Sequence, residues 1–162
     1  MEQATLLKEL KRIVSGREPR RAALEKVAAL IKESGNHRWV GLYDVDHSAG
    51  LVSNIVWSGP GAPEFPTFPI TKGLTGSAIS SGKTVNVGNV ASDPRYLTAF
   101  ATTKSEIIVP IFDSTRKSVV GTIDVESEQP DAFDPQTQGL LEESAECSRH
   151  GGARRTDASA RS

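Results

Sequence analysis

Residues 106–126 read EIIVPIFDSTRKSVVGTIDVE and contain the two clearest strands of the sequence. β-Branched and other apolar residues are dense at 106–112 and again at 118–126, and a polar stretch at 113–117 separates them. Two such runs joined by a short polar segment predict a pair of neighbouring antiparallel strands. The segment therefore indicates a sheet built from hairpins rather than from βαβ units.

The rest of the chain adds a second hairpin and several helices. Apolar residues recur at helical spacing near both ends of the sequence, and the period changes to two in the middle. The other predicted elements are helices at 3–15 and 19–35, strands at 39–45 and 51–57, a loop at 58–69, a short helix at 73–82, a short strand at 84–87, an irregular stretch at 91–103 and a closing helix from Asp134. This order favours an α+β fold in which helices pack on one face of an antiparallel sheet.

Composition narrows the range of functions. The 162 residues are 37% apolar and 24% charged with a net charge of −1, as in an ordinary single globular domain. A near-neutral balance offers no basic surface for nucleic acid. No apolar stretch is long enough to cross a bilayer and no signal peptide is evident, so we expect a cytoplasmic protein without a membrane partner.

The last residues differ in character from the rest. Residues 149–162 contain four arginines, one aspartate and no large apolar side chain. Such a segment cannot contribute to a hydrophobic core. We therefore predict a single domain at 1–148 and a basic, disordered tail at 149–162.

Four motifs together resemble a GAF domain. They are WVGLY at 39–43, PITKGLTG at 69–76, SEIIVP at 105–110 and GTIDVES at 121–127. They look most like the single-domain GAF proteins that reduce free methionine-(R)-sulfoxide. The resemblance implies a central antiparallel sheet of five or six strands, terminal helices on one face and a small-molecule pocket on the other. It also implies a homodimer.

The catalytic cysteines of those reductases have no counterpart in this sequence. By the resemblance, the three cysteine positions fall at Thr75, at Ala99 and near Phe65. Sulfoxide reduction by thiols needs one thiolate to attack sulfur and a second thiol to resolve the product. The single cysteine, Cys147, is predicted at the end of the closing helix, away from the pocket. We therefore assign no catalytic residue, and the sequence favours a protein that is not an enzyme.

Five residues are the candidate ligand-binding set. Strand alternation places Asp124 and Glu126 on the face opposite Ile123 and Val125, and it puts two aromatic residues of the first strand on a common face. Carboxylates and an aromatic ring suit a small cation or zwitterion. By resemblance, the family's ligand-binding acids map to Glu106 and this acidic pair. The full set is Trp39, Tyr43, Glu106, Asp124 and Glu126.

Three interpretations of this set remain open. The first is a non-catalytic sensor or regulatory module that binds a small molecule. The second is a divergent enzyme like the methionine-(R)-sulfoxide reductases, and the third is a dimerisation module with an empty pocket. The acids could also be merely solvated and the aromatic residues merely core. The three histidines lack metal-ligand spacing, so neither a metal nor a cofactor is predicted.

Overall fold

The computed structural model describes residues 2–98 and 100–154, with the backbone alone for 149–154. The elements are α1 (Gln3–Ser15), α2 (Arg20–Gly35), β1 (Trp39–Asp46), β2 (Leu51–Ser58), β3 (Thr67–Pro69), α3 (Gly73–Ser81), β4 (Val85–Val87), β5 (Ser105–Phe112), β6 (Val119–Ser127) and α4 (Pro135–Arg154). A 3₁₀ turn at Val90–Ser92 overlaps the start of the stretch 91–103 predicted to be irregular. The predicted α+β fold is confirmed, with strand and helix ends within a few residues of those expected. The segment 58–69, predicted as a loop, ends in the short edge strand β3.

The six strands form one sheet in the order β3-β2-β1-β6-β5-β4, and every pairing is antiparallel. The hairpin β5–β6 lies at the centre of the sheet, next to β1. Its register pairs Glu106 with Glu126, while β1 pairs Trp39 with that same glutamate. Three of the five predicted site residues are thus brought side by side by main-chain hydrogen bonding alone.

Three helices cover one face of the sheet. Alternate apolar residues of the central strands, including Leu42, Ile107 and Ile123, are buried beneath α2 and α4, and α1 packs on these two helices. Burial of each such side chain contributes about 1.5–3 kcal/mol to folding. The apolar residues of α1 are buried against α4 and α2, so the chain itself covers the apolar face of this helix.

The ends of the helices follow from their sequences. Asn36, directly after α2, adopts the left-handed conformation with φ of 51°, and its N–H reaches the carbonyls of the last turn. Asp134 caps α4 by accepting a hydrogen bond from the N–H of Thr137 at 2.8 Å, and Pro135 begins the helix. These caps fix where the helical layer meets the sheet.

The predicted domain boundary at residue 148 falls inside α4, whose backbone is helical as far as Arg154. A helix that is already nucleated adds one hydrogen bond per residue, which lets α4 extend into residues with no apolar side chain. The tail beyond this point, 155–162, lies outside the described residues, so its predicted disorder stays a prediction. No helix in the described ranges has both the length and the apolar character needed to span a bilayer.

Candidate functional site

Three carboxylates converge on the face of the sheet opposite the helices. Glu106 comes from β5, and Asp124 and Glu126 come from alternate positions of β6. One oxygen of each lies within 4.8 Å of the others. All three residues are buried, with 6%, 6% and 0% of their surfaces exposed. The sequence prediction that these acids share a face and a site is consistent with this geometry.

Burial changes the acidity of the whole cluster. Desolvation is the main cause for each group: it raises the pKa of Asp124 to about 7 and that of Glu126 to about 8. The pKa of Glu106 is raised well above its ordinary value by burial and by the charges of the other two acids. At neutral pH the ligand-free cluster therefore retains protons, because three carboxylates this close cannot all be ionised.

The cluster is only partly satisfied by hydrogen bonds. Thr103 donates its hydroxyl to Glu126 at 3.0 Å. The Oδ1 atom of Asp124 and the Oε2 atom of Glu126 are buried without a hydrogen-bond partner. Buried acceptors without partners each cost about 1–3 kcal/mol. These two carboxyl oxygens therefore remain available to an occupant of the site.

No positively charged side chain pairs with these acids in the described part of the chain. Arg38 forms its ion pair with Glu128 instead, although its charge slightly offsets the raised pKa of Glu126. Oxygen-only, acidic sites suit two kinds of occupant: an ammonium group, or a hard divalent cation such as Ca²⁺ or Mg²⁺. The sequence search for metal ligands considered histidine and cysteine spacing and therefore missed the second possibility.

Two aromatic residues of β1 flank the acids, but in different ways. Trp39 and Tyr43 lie on the same face of β1 by strand alternation, and Gly41 between them leaves room for their rings: a Cβ there would lie 2.3 Å from the Trp39 ring. Trp39 is almost fully buried, packs on Phe100 at 5.3 Å and donates its indole N–H to the carbonyl of Gly61 at 3.1 Å. Trp39 therefore packs beside the site without lining the cavity, whereas Tyr43 lines the cavity.

A small cavity of about 30 Å³ opens onto Glu106 and Asp124, whereas Glu126 does not line it. This is room for about one water molecule, or for one ammonium group. Its wall combines the two acids with apolar residues from β1, β3, α3 and two loops: Tyr43, Pro63, Phe65, Phe68, Gly73, Leu74, Thr75, Leu97, Glu106 and Asp124. Most of these residues lie in loops or at the ends of elements, where a displacement would enlarge the space.

The irregular segment 91–103 supplies residues that the sequence prediction missed. Thr103 donates to Glu126, Phe100 packs on Trp39 and Leu97 lines the cavity. The pKa of the Tyr96 hydroxyl is raised by burial and then by the charges of Glu126 and Glu106, which places this ring beside the acids too. These residues lack any periodic pattern, so only the folded loop reveals their role.

Comparison with known proteins identifies the family to which this chain belongs. A family model described as the GAF domain matches residues 19–146. The chain belongs to the GAF domain family. This GAF domain is 31% identical over 129 residues to GAF domain-containing protein A of Dictyostelium discoideum, covering 80% of this chain and 78% of that protein. It is 26% identical over 142 residues to protein YtsP of Bacillus subtilis, covering 87% and 85% of the two chains.

Among solved structures, the GAF domain resembles the free methionine-R-sulfoxide reductase of Neisseria meningitidis, determined in complex with its substrate. The TM-score is 0.83 at 29% identity, and the match covers 92% of this chain and 87% of that one. The predicted likeness to these reductases is therefore confirmed for the scaffold.

The only cysteine of this GAF domain lies on the wrong face for such chemistry. Cys147 is buried in the core between the helices and the sheet, and burial raises the pKa of its thiol. A thiol of this kind is a poor nucleophile. Thr75, at one of the three aligned cysteine positions, and Phe65, near which a second position falls, line the acidic cavity. The third position, Ala99, lies outside the described residues.

Proposed function

We propose that this GAF domain is a non-catalytic regulatory module that binds a small molecule through a cationic group, as a cation or a zwitterion. The observation that carries the proposal is the cluster of Glu106, Asp124 and Glu126, buried within 4.8 Å of one another without a paired cation in the described residues. An ammonium group would supply both the charge and the hydrogen-bond donors that the cluster lacks.

The apolar wall of the cavity supports a ligand with a short body. Once its charged end is held by the acids, the rest of the molecule contacts Tyr43, Phe68 and Leu74. Because the present volume of about 30 Å³ holds only the charged end, entry of a whole zwitterion requires the loops that carry Phe65 and Leu97 to move outward. Such a movement would couple ligand binding to the shape of the surface that a partner contacts.

The relationship to the reductases supports a ligand of amino-acid size, because the solved relative holds free methionine sulfoxide as its substrate. Turnover is not part of the proposal, since neither Thr75 nor Phe65 can form a thiolate and Cys147 lies across the sheet. We further propose that the module acts in the cytoplasm and forms a homodimer. Light scattering on the purified protein would test the homodimer.

A thermal-shift panel tests the binding proposal. It compares amino acids and both epimers of free methionine sulfoxide with matched acids that lack the amine. A ligand at about a hundred times its dissociation constant should stabilise the fold by about 2.7 kcal/mol, or roughly 5–10 °C. The shift should require the amine and should disappear in Glu106→Gln and Asp124→Asn.

Glu128→Gln is the matched control, because it removes a nearby carboxylate that pairs with Arg38 outside the cluster. This variant should keep the full shift. A shift that survives in both cluster variants would place the ligand elsewhere. Reduction of free methionine sulfoxide with thioredoxin, above the rate without protein, would contradict the non-catalytic assignment.

A further inference from the structure

Two loops contribute to the wall of the acidic cavity. The segment 59–66, which joins β2 to β3, supplies Pro63 and Phe65, and the segment 91–103 supplies Leu97. We call these two segments the covering loops. The cavity measures only about 30 Å³, which is room for one water molecule or one ammonium group. Any larger molecule therefore reaches the acids only after the covering loops have moved.

The first covering loop is held by the side chain of Trp39. The indole N–H donates to the carbonyl of Gly61 at 3.1 Å. The backbone of Gly59 lies against the same ring: a Cβ there would lie 2.8 Å from the Cδ1 atom of Trp39 and 2.7 Å from the carbonyl oxygen of Arg38. Gly59 also has a φ of 141°, which residues with a side chain rarely adopt. The loop thus approaches the indole as closely as a glycine allows.

The second covering loop contacts the same indole ring. Phe100 packs on Trp39 with the ring centroids 5.3 Å apart. Thr103, at the end of this loop, donates its hydroxyl to Glu126 at 3.0 Å, and Glu126 is the residue that pairs with Trp39 in the register of β1 and β6. Both contacts of the loop therefore lie at the start of β1.

These contacts make the position of each loop depend on the other. Trp39 is only 1% exposed, and a close-packed side chain keeps its position only while its neighbours stay in place. Departure of Phe100 would remove one side of this packing and weaken the hydrogen bond to Gly61. Departure of the segment 59–66 would leave the buried indole N–H without its acceptor, which is costly, and would loosen the contact with Phe100.

We propose that Trp39 couples the two covering loops, so that they open and close over the acidic cavity as one unit. Trp39 is then a positioning residue, which acts through the loops and not by contact with a ligand. The coupling is a property of the chain alone, whereas its use in admitting a ligand rests on the proposed function.

Hydrogen exchange of the ¹⁵N-labelled full chain, followed by NMR without any ligand, tests the coupling. Three N–H groups report on the loops: the Trp39 indole, the amide of Asn54, which donates to the carbonyl of Pro66 at 2.7 Å, and the amide of Thr103, which donates to the carbonyl of Phe100 at 3.2 Å. Their protection factors should agree within about fivefold, and the amide of Ile123 in the central strand β6 should be at least about tenfold better protected.

A larger spread among the three reporters would overturn the proposal, because the loops would then open separately. Protection of all three equal to that of Ile123 would also overturn it, because the loops would then open only when the whole protein unfolds. Since no ligand is present, the result can be interpreted whether or not the thermal-shift panel finds a ligand.

A double-mutant cycle tests the role of Trp39 itself. Phe100→Leu weakens a contact of one covering loop and should speed exchange at Asn54, which reports on the other loop, by about 3- to 10-fold relative to Ile123. In a Trp39→Phe background the same substitution should change exchange at Asn54 by less than about twofold. An effect that is confined to Thr103, or one that persists fully without Trp39, would overturn the coupling.

Two matched controls keep these comparisons specific. Phe112→Leu alters a half-buried phenylalanine at the end of β5 away from the acids, and it should leave exchange at Asn54 unchanged relative to Ile123. A Trp57→Phe background, which alters a tryptophan that is 39% exposed, should retain the full effect of Phe100→Leu. The wild-type and Phe100→Leu proteins decide the matter if Trp39→Phe does not fold.

Discussion

Glu106, Asp124 and Glu126 lower the stability of the ligand-free fold, although they are the residues proposed to bind the ligand. Burial of three carboxylates contributes nothing favourable to folding, and two of their oxygens lack hydrogen-bond partners. A hydrophobic sheet face would be more stable at these positions. The arrangement is therefore best explained by an occupant whose charge and donors offset this cost.

Replacement of one acid by its neutral isostere should stabilise the ligand-free protein. Glu126→Gln keeps an acceptor for the Thr103 hydroxyl and removes a group that must take up a proton on folding at about pH 7.5. We therefore expect the free energy of unfolding at that pH to rise by about 1–3 kcal/mol. Urea denaturation measures this. The control Glu128→Gln, at a partly exposed ion pair, should change stability by less than about 0.5 kcal/mol. A clear loss of stability in Glu126→Gln would show that the carboxylate is held by the chain itself.

The same acids should make the ligand-free protein less stable as the pH rises. Their folded-state pKa values lie above the unfolded ones, with Asp124 at about 7 and Glu126 at about 8, so the folded state binds more protons until both have ionised. Between about pH 6.5 and about pH 8.5 the free energy of unfolding should fall by about 2 kcal/mol.

His37 contributes little to the change in stability within this pH range. Its pKa is lowered in the folded protein, so it reduces the free energy of unfolding only as the pH falls towards acidic values. Urea denaturation at several pH values gives the slope. The double variant Asp124→Asn/Glu126→Gln should flatten it. A stability that rises through this window, or a slope unchanged in the double variant, would show that the acids are solvated.

At the scale of the elements, regular patterns predicted the framework and irregular segments hid part of the site. Period-two alternation in β1, β2, β5 and β6 was sufficient to predict the hairpins and to place Asp124 and Glu126 opposite Ile123 and Val125. The loop 91–103 has no such period. Its contacts through Thr103 and Phe100 depend on how it folds over the sheet, which local sequence does not determine.

The packing of β1 gives a prediction at this scale. Gly41→Ala would place a Cβ 2.3 Å from the Trp39 ring, so the indole must shift away from Phe100 and Gly61. We expect a loss of about 1–3 kcal/mol in the free energy of unfolding.

Gly139→Ala in α4 is the matched control. Nothing lies within 4 Å of a Cβ there, and alanine should stabilise the helix by about 0.5–1 kcal/mol. Thermal and urea unfolding compare the two variants directly. A neutral effect of Gly41→Ala would mean that the aromatic support behind the acids is loosely packed.

At the scale of the whole molecule, the sheet separates two chemically different environments. One face is an apolar core under α1, α2 and α4, and it holds Cys147. The other carries the acids and the aromatic residues of β1. The order of the sequence motifs predicted the family and the division of the sheet into an apolar face and a ligand-binding face. It did not predict the small volume of the acidic cavity. That volume depends on loops such as those carrying Phe65 and Leu97, whose packing only the assembled fold shows.

The charge state of the acids, followed by ¹³C NMR of the side-chain carboxyl groups, is the most direct test of the central proposal. The titration would be recorded without ligand and with the compound that gives the largest shift in the thermal panel. Without ligand, the resonances of Asp124 and Glu126 should titrate with pKa values near 7 and 8, and the ligand should lower both values below about 5 as its cation replaces their protons. Ordinary values near about 4 in the free protein, or values that the ligand leaves unchanged, would contradict the proposal that these carboxylates form the binding site.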